Sequence, residues 1–316
     1  MSAMSGATAP ALAMIGLGRM GANMLRRLAR AGIPVCGYDV SAPARAALAA
    51  EPGIFLAASL EEAIAALRAP RAVWIMLPAG ETTAQTVRSV AALLAPGDAI
   101  LDGGNADYHD SVRHAAELAA RGVHFIDVGV SGGVWGLEEG YGLMFGGPDA
   151  AIAPLLPVFR ALAPAPERGW VHCGPSGSGH YAKMVHNGIE YGLMEAYAEG
   201  FALLQAKAEF SLDVAAIAEA WRHGTVVRSW LLDLAAGALR EDPVMAGVAP
   251  VVADSGEGRW TVREGLDLAV PLPAISAALN VRLASQGKGD YAGRFLARLR
   301  NAFGGHAIQA RRAGSP

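Results

Sequence analysis

A short apolar stretch at residues 12–15 runs directly into Gly16-Leu17-Gly18-Arg19-Met20-Gly21 and then into an amphipathic segment through Ala31. No other feature constrains the fold as tightly. A Gly-x-Gly-x-x-Gly turn between strand and helix lets the backbone approach a pyrophosphate and presents the free N–H groups of a helix N-terminus to it. In that context the turn specifies an α/β sheet that binds a dinucleotide, with residues 16–21 as the cofactor-binding loop.

The segments that follow keep the alternation. The strand expected at 34–39 ends in Asp39, about twenty residues beyond the glycines, where the motif wants an acid for the adenosine ribose hydroxyls. Val40, Ser41 and Ala42 follow, and the first basic residue after Asp39 is Arg45. A 2′-phosphate would meet a carboxylate there, so NAD is expected over NADP, with NADP use left open. Strands at 72–77 and 99–102 end in Pro78-Ala79-Gly80 and Gly103-Gly104-Asn105. Open α/β sheets bind ligands at the carboxyl ends of their strands, which puts Leu77, Pro78 and Asn105 on the cofactor side.

A further strand at 123–128 leads into residues 129–147, a glycine-rich segment. It reads either as a loop offering N–H groups and the Ser131 hydroxyl to a polar ligand, or as glycines serving tight turns. After one more helix and a strand at 170–173, Gly174-Pro175-Ser176-Gly177 turns the chain toward a long helix at 177–204. Its apolar residues Met184, Val185, Ile189, Met194, Ala198 and Phe201 predict that it is largely buried. Lys183, His186, Asn187, Glu190 and Tyr191 fall on one stripe over two turns. That stripe reads as a solvated face, as a satisfied polar stripe in a core, or as a ligand-facing row. Lys183 and Glu190, seven residues and about 10 Å apart along the axis, are too distant to pair but could touch two sides of one small ligand.

From Asp213 onward the pattern is helical, at 214–221, 227–236, 262–268, 273–283 and 291–302, with a polar loop at 254–261. The sequence thus predicts a Rossmann-type doubly wound α/β domain over 1–176 and an all-α domain over 177–316.

Composition narrows the function. Of 316 residues 53% are hydrophobic and 17% charged, which excludes a disordered chain, and a formal net charge of -3 gives no basic field for nucleic acid. No apolar run approaches membrane-spanning length, and no basic residue precedes Arg19 as a signal peptide would require, so a cytoplasmic location is expected. Cys36 and Cys173, the only cysteines, lack metal-ligand spacing, and no metal site is expected.

The segments IGLGRMGANM, LDGGNADYHDS, DVGVSGGVWGLEEGYGLMFGG, GSGHYAKMVHNGIEYGLMEAYAEG, SGEGRWT and RNAFGGH resemble the decarboxylating 6-phosphogluconate dehydrogenases across nearly the whole chain. KMVHNGIEYG is the most specific of them. The resemblance implies oxidation and decarboxylation of 6-phosphogluconate with NAD or NADP, as in the pentose phosphate pathway. It implies Lys183 as general base at the 3-hydroxyl and Glu190 as the acid that protonates C1 of the enediol. Asn105, Ser131, Gly132, Gly133, His186 and Asn187 would hold the sugar hydroxyls and carboxylate. Tyr191, Arg259, Thr261 and Arg282 would hold the 6-phosphate, with Arg300 and His306 supplied by a neighbouring subunit.

Three departures from the family pattern matter. Where longer family members carry a lysine this chain has Arg259, and it lacks their second helical repeat, so a partner chain must cover the helical domain as a dimer or a tetramer of dimers. Tyr38-Asp39-Val40-Ser41 stands where NADP-using members carry an arginine. Two rivals remain at this point: a non-decarboxylating β-hydroxyacid dehydrogenase acting on a small 3-hydroxy acid, and a non-catalytic NAD-binding sensor. The first leaves Glu190, Arg282, Arg300 and His306 idle, and the second leaves Lys183 and Glu190 unexplained.

Overall fold

A computed structural model describes residues 9–309 of the chain. It divides into two compact units, Met1–Val185 and His186–Pro316. In chain order the first unit runs β1 (Leu12–Ile15), α1 (Arg19–Arg30), β2 (Val35–Tyr38), α2 (Ala42–Ala46), β3 (Ile54–Leu56), α3 (Leu60–Ala65), β4 (Ala72–Ile75) and α4 (Glu81–Leu93). It continues with β5 (Ala99–Asp102), α5 (Tyr108–Ala119), β6 (His124–Ser131), α6 (Gly136–Glu139), β7 (Gly142–Gly146), α7 (Asp149–Ile152), α8 (Leu156–Leu162) and β8 (Trp170–Gly174). Helix α9 (Ser178–Ala206) begins in the first unit and ends in the second. Helices α10 (Val214–Trp221), α11 (Trp230–Glu241), α12 (Glu257–Asp267), α13 (Pro273–Ser285) and α14 (Asp290–Gly304) complete the second.

The eight strands form one sheet in the order β3-β2-β1-β4-β5-β6-β7-β8. Every pairing is parallel except β6 with β7. Alternate residues feed two cores, one on each face. Leu12, Met14, Trp74, Leu101 and Ile126 pack to one side, and Ala13, Ile15, Val73, Ile75, Ile100 and Phe125 to the other. That double burial explains why these strands read as continuous apolar runs rather than as alternating ones. The chain order reverses between β1 and β4, and at such a switch point the carboxyl ends of neighbouring strands diverge and leave a crevice.

Three expectations change. The glycine-rich segment is mostly regular structure: β6 runs to Ser131, a short helical turn and α6 follow, and Gly142–Gly146 is a strand antiparallel to β6. Gly129 and Gly146 thus sit in strands, where the glycines permit close packing rather than loop freedom. The polar loop ends at Gly256, because α12 starts at Glu257 and takes in Arg259 and Thr261. Helix α9 is buried less than its apolar residues predict, with Ile189, Leu193 and Leu203 exposed. Strand β3, three residues long at the sheet edge, had no sequence signal.

The second unit has two small apolar clusters. Val214, Ala218, Ala236 and Leu239 join α10 to α11 with Phe201 against them, and Tyr191, Ala278 and Leu279 gather Met194, Val262 and Leu283. Helix α14 buries none of its residues. Among the described residues no helix is long and apolar enough to cross a membrane.

Candidate active site

In the first unit three strand ends converge. Gly16 takes φ +96°, and a Cβ there would lie 2.5 Å from the Met76 carbonyl oxygen and 2.8 Å from Leu77 Cδ2. At Gly21 a Cβ would lie 2.0 Å from the Gly16 carbonyl oxygen, so strand end and helix start touch backbone to backbone. Gly18 instead faces open space, and it is the N-cap of α1 with no capping side chain and no acid in the first turn. A dinucleotide pyrophosphate fits this cradle, because the helix N-terminus offers N–H groups and partial positive charge with no carboxylate opposing it. Leu17, Arg19 and Met20 complete the turn as expected from the sequence.

Asp39 follows β2. Its Oδ2 accepts from the Leu17 N–H at 2.7 Å and its Oδ1 from the Ser41 N–H at 2.8 Å. The acid therefore braces the glycine turn from the neighbouring strand. Arg45 donates through Nη1 to the Asp39 backbone carbonyl, which brings a guanidinium to the same turn. Leu77 and Pro78 follow β4, and Gly104 after β5 packs so closely that a Cβ would come within 2.8 Å of the Leu77 carbonyl oxygen. The exposed Asn105 follows Gly104 directly and so stands close to Leu77.

Beneath Asn105, Asp102 is fully buried and accepts from the Gly104 N–H at 3.0 Å. Burial pushes its carboxyl above the ordinary aspartate range, with nearby Asp127 adding to the rise and His180 and His114 opposing it. The Cys36 thiol, also buried, is pushed up to about 12. Among the described residues no group of three His, Cys, Asp or Glu could hold a metal ion.

Ser131 ends β6, and Gly132 and Gly133 follow at φ +135° and +53°. Two successive glycines in that region turn the chain sharply, which is the tight-turn reading of these two positions. Lys183, on α9, is buried, and its stem lies over Gly129 of β6: a Cβ on Gly129 would sit 2.4 Å from Lys183 Cβ.

In the second unit α9 continues with His186, Asn187, Glu190 and Tyr191. His186 Nδ1 lies 3.8 Å from Glu190 Oε2 and 3.3 Å from Asn187 Oδ1, and Glu190 is half-exposed. Tyr191 is buried, and its hydroxyl has no hydrogen-bond partner among the described residues. The Arg282 guanidinium carbon lies 3.6 Å from the centre of the Tyr191 ring, and its Nη1 donates to the Ala253 carbonyl at 3.2 Å. Two glycines close the group. A Cβ on Gly188 would meet Thr261 Cγ2 at 2.6 Å, and one on Gly258 would meet Tyr191 Cε2 at 2.4 Å.

Tyr191, Thr261 and Arg282 are thus brought together by α9, α12 and α13, and Arg259 stands on α12 one residue beyond Gly258. Sequence reasoning missed one member of this group. Asp254, with a buried side chain, takes the Arg259 guanidinium at 3.0 Å, and only its place five residues upstream marked it. Arg300 and His306 stand elsewhere, exposed on α14 and the turn after it, where His306 contacts Asn301 and Phe303 of its own helix.

Both units of the chain match known proteins. The sequence model of the NAD-binding domain of 6-phosphogluconate dehydrogenase matches residues 11–174, and that of its C-terminal domain matches residues 179–306. An NAD(+)-dependent, decarboxylating 6-phosphogluconate dehydrogenase of Haloferax volcanii is 43% identical over 298 residues, covering 94% of this chain and 98% of its own. A decarboxylating 6-phosphogluconate dehydrogenase of Synechococcus elongatus is 35% identical over 88% of this chain but only 62% of its own length. Among solved structures, the 6-phosphogluconate dehydrogenase of Plasmodium falciparum superimposes with a TM-score of 0.80 at 25% identity, covering 96% of this chain and 67% of its own. With two domain models spanning the described chain and a relative matched end to end, the chain belongs to the 6-phosphogluconate dehydrogenase family.

Proposed function

We propose that this chain oxidatively decarboxylates 6-phospho-D-gluconate to D-ribulose 5-phosphate and CO2 in the cytoplasm, with NAD the preferred acceptor and NADP a secondary one. The observation that carries the substrate is the Tyr191, Thr261 and Arg282 group, a guanidinium stacked on the ring of a buried tyrosine whose hydroxyl has no partner among the described residues, with Arg259 on α12 held by Asp254. Such a group suits a phosphate dianion, and a small 3-hydroxy acid would leave it unused. We assign residues 1–176 to cofactor binding and 177–316 to the substrate phosphate and to self-association.

A nicotinamide dinucleotide held by the turn at 16–21 and Asp39 would supply the acceptor for the hydride of C3. Lys183 takes the 3-hydroxyl proton in that step, giving a β-keto acid whose C1 carboxylate departs as CO2 while its bonding electrons pass into the ketone as an enediolate. Protonated Lys183 stabilises that oxygen by charge and hydrogen bond and returns the proton to it. Glu190 then protonates the carbon that lost CO2 as Lys183 takes back the hydroxyl proton and the ketone forms. Turnover thus leaves Lys183 protonated and Glu190 ionised, and passage of one proton from Lys183 to Glu190 through solvent resets both, so the cycle releases none. Asn105, Ser131, Gly132, Gly133, His186 and Asn187 orient the carboxylate and hydroxyls, an alignment worth several orders of magnitude in rate.

For the second subunit the support is α14. Tyr291, Phe295, Leu299 and Phe303 are four residues apart and exposed, on a helix with no buried residue. A partner chain would cover that stripe and receive Arg300 and His306 into its phosphate group, in a dimer or a tetramer of dimers.

The test is an initial-rate assay with 6-phosphogluconate and, separately, NAD and NADP, following reduced nicotinamide and CO2 together. Stoichiometric CO2 with faster NAD turnover is the expected result. Reduced nicotinamide without CO2 would move the chain to the β-hydroxyacid dehydrogenases, and no turnover with either cofactor would leave a binding protein.

A further inference from the structure

The N-terminus of α9 is buried, and its first N–H groups need partners from elsewhere because Gly177 has no side chain to cap them. The Gly177 carbonyl accepts the first helical bond, from the Tyr181 N–H at 2.9 Å, which makes Gly177 the N-cap. The Ser178 N–H donates to the Pro175 carbonyl at 3.0 Å. The Gly177 N–H donates to Asp127 Oδ1 at 2.5 Å and the His180 N–H to Asp127 Oδ2 at 2.7 Å. One carboxylate, from the middle of β6 and wholly buried, thus serves the N-cap and the third residue of the helix together. In an ordinary capping box two side chains of the helix itself share that task.

The same patch of sheet fixes how deep the helix sits. Asp127 is paired with Gly146 across the β6–β7 ladder, and Gly129 with Met144. A Cβ on Gly179 would lie 2.6 Å from the carbonyl oxygens of both Asp127 and Met144 and 2.8 Å from the Gly146 nitrogen. Two residues along β6 from Asp127, and one turn along α9 from His180, Lys183 lies over Gly129. Asp127 and Gly129 therefore hold α9 at two successive points on one face of one strand. The second point is the stem of Lys183 itself.

We propose that Asp127 is a positioning residue for catalysis: by clamping the first turn of α9 to β6, it sets the rotation and depth of the helix and with them the place of the Lys183 ammonium. The proposal rests on the reading of Lys183 as the base. It assigns Asp127 no contact with substrate or cofactor.

The experiment uses the full-length protein with Asp127→Asn, which keeps the volume but offers one acceptor for two N–H groups, and Asp127→Ser as a second, smaller variant. Each is made alone and with Lys183→Met. Thermal melts and NAD affinity report the fold and the cofactor loop, and kcat, KM and the pH profile of kcat report the site. Expected are folded single variants with NAD affinity within about twofold of wild type and kcat down about 10- to 100-fold, the cost of displacing a catalytic group by about an ångström. Their kcat–pH profile should be displaced, and neither substitution should lower kcat further once Lys183 is Met, as residues acting through one group are non-additive.

A wild-type kcat and pH profile in a variant that only melts earlier would overturn the proposal. So would losses that multiply with those of Lys183→Met, or failure of both single variants to fold, since Asp127 would then be a folding residue. Wild-type turnover by Lys183→Met alone would overturn the assignment of Lys183 first and this proposal with it.

Discussion

Asp39 has two tasks that a cofactor-specificity argument based on charge would merge into one. Its carboxylate would repel a 2′-phosphate, and it accepts the Leu17 and Ser41 N–H groups that shape the turn. Asp39→Ser should raise the NADP-to-NAD ratio of kcat/KM by about tenfold, roughly 1.4 kcal/mol, because Arg45 is already bonded to the Asp39 carbonyl and can reach a phosphate there. NAD turnover should fall by more than NADP turnover gains, since the Leu17 N–H loses its acceptor. Steady-state kinetics with both cofactors check this, and an unchanged ratio would remove Asp39 from the discrimination. Asp102 presents a different trade. Its carboxyl is raised by burial, so from about pH 4 upward the folded chain holds a proton that the unfolded chain gives up. Stability from this group is therefore lost as pH rises through that window. Asp102→Asn keeps the acceptor for the Gly104 N–H, and its melting temperature relative to wild type should climb between pH 4 and pH 7. Parallel melting curves across that range would contradict the assignment of the proton to Asp102.

Among the elements, α1 reaches both α6 and α8 through one side chain, that of Arg27. Arg27 donates to the carbonyls of Ala161 and Ala163 at 3.0 and 2.7 Å and to those of Leu137 and Glu138 at 3.1 and 3.2 Å. These carbonyls lie at or near the C-termini of α8 and α6, where a cation is favoured. Arg27→Met should cost about 2–3 kcal/mol in urea denaturation. Arg27→Lys should recover less than half, because an ammonium cannot reproduce the planar fork. Arg27 gave no signal in sequence, where it reads as one more basic residue on an amphipathic helix. The elements that were legible had local causes: the β1–α1 turn carried its glycines, and α10 has its Asp213 cap and its expected ends. Strand β7 was hidden because its glycines answer to a helix thirty residues away, where Gly146 meets Pro175 and Ser178. The start of α12 was hidden because Gly256 caps it in a left-handed conformation without a side-chain bond. The same holds for the candidate site. Lys183, Glu190 and the glycine turn stand in contiguous motifs, whereas Asp127 and Asp254 act through contacts that only the folded chain creates.

For the molecule as a whole the deciding element is α14. A fifteen-residue helix with no buried residue is marginal in water by its own hydrogen bonds, so its apolar stripe needs a cover. Replacing Phe295 and Leu299 together by aspartate should yield a monomer in sedimentation equilibrium with little turnover left. A fully active monomer would refute the shared site. A helix that buries nothing at home and carries Arg300 also has a genetic consequence. If each active site takes Lys183 from one chain and Arg300 from the other, a Lys183→Met chain and an Arg300→Ala chain are each dead alone but complement one another. Random pairing of the two in one cell would put them together in about half of the dimers, each with one intact site, and restore about a quarter of normal activity. Two alleles inactive by themselves would then support growth together, and the dose of one defective allele would matter in every dimer it enters.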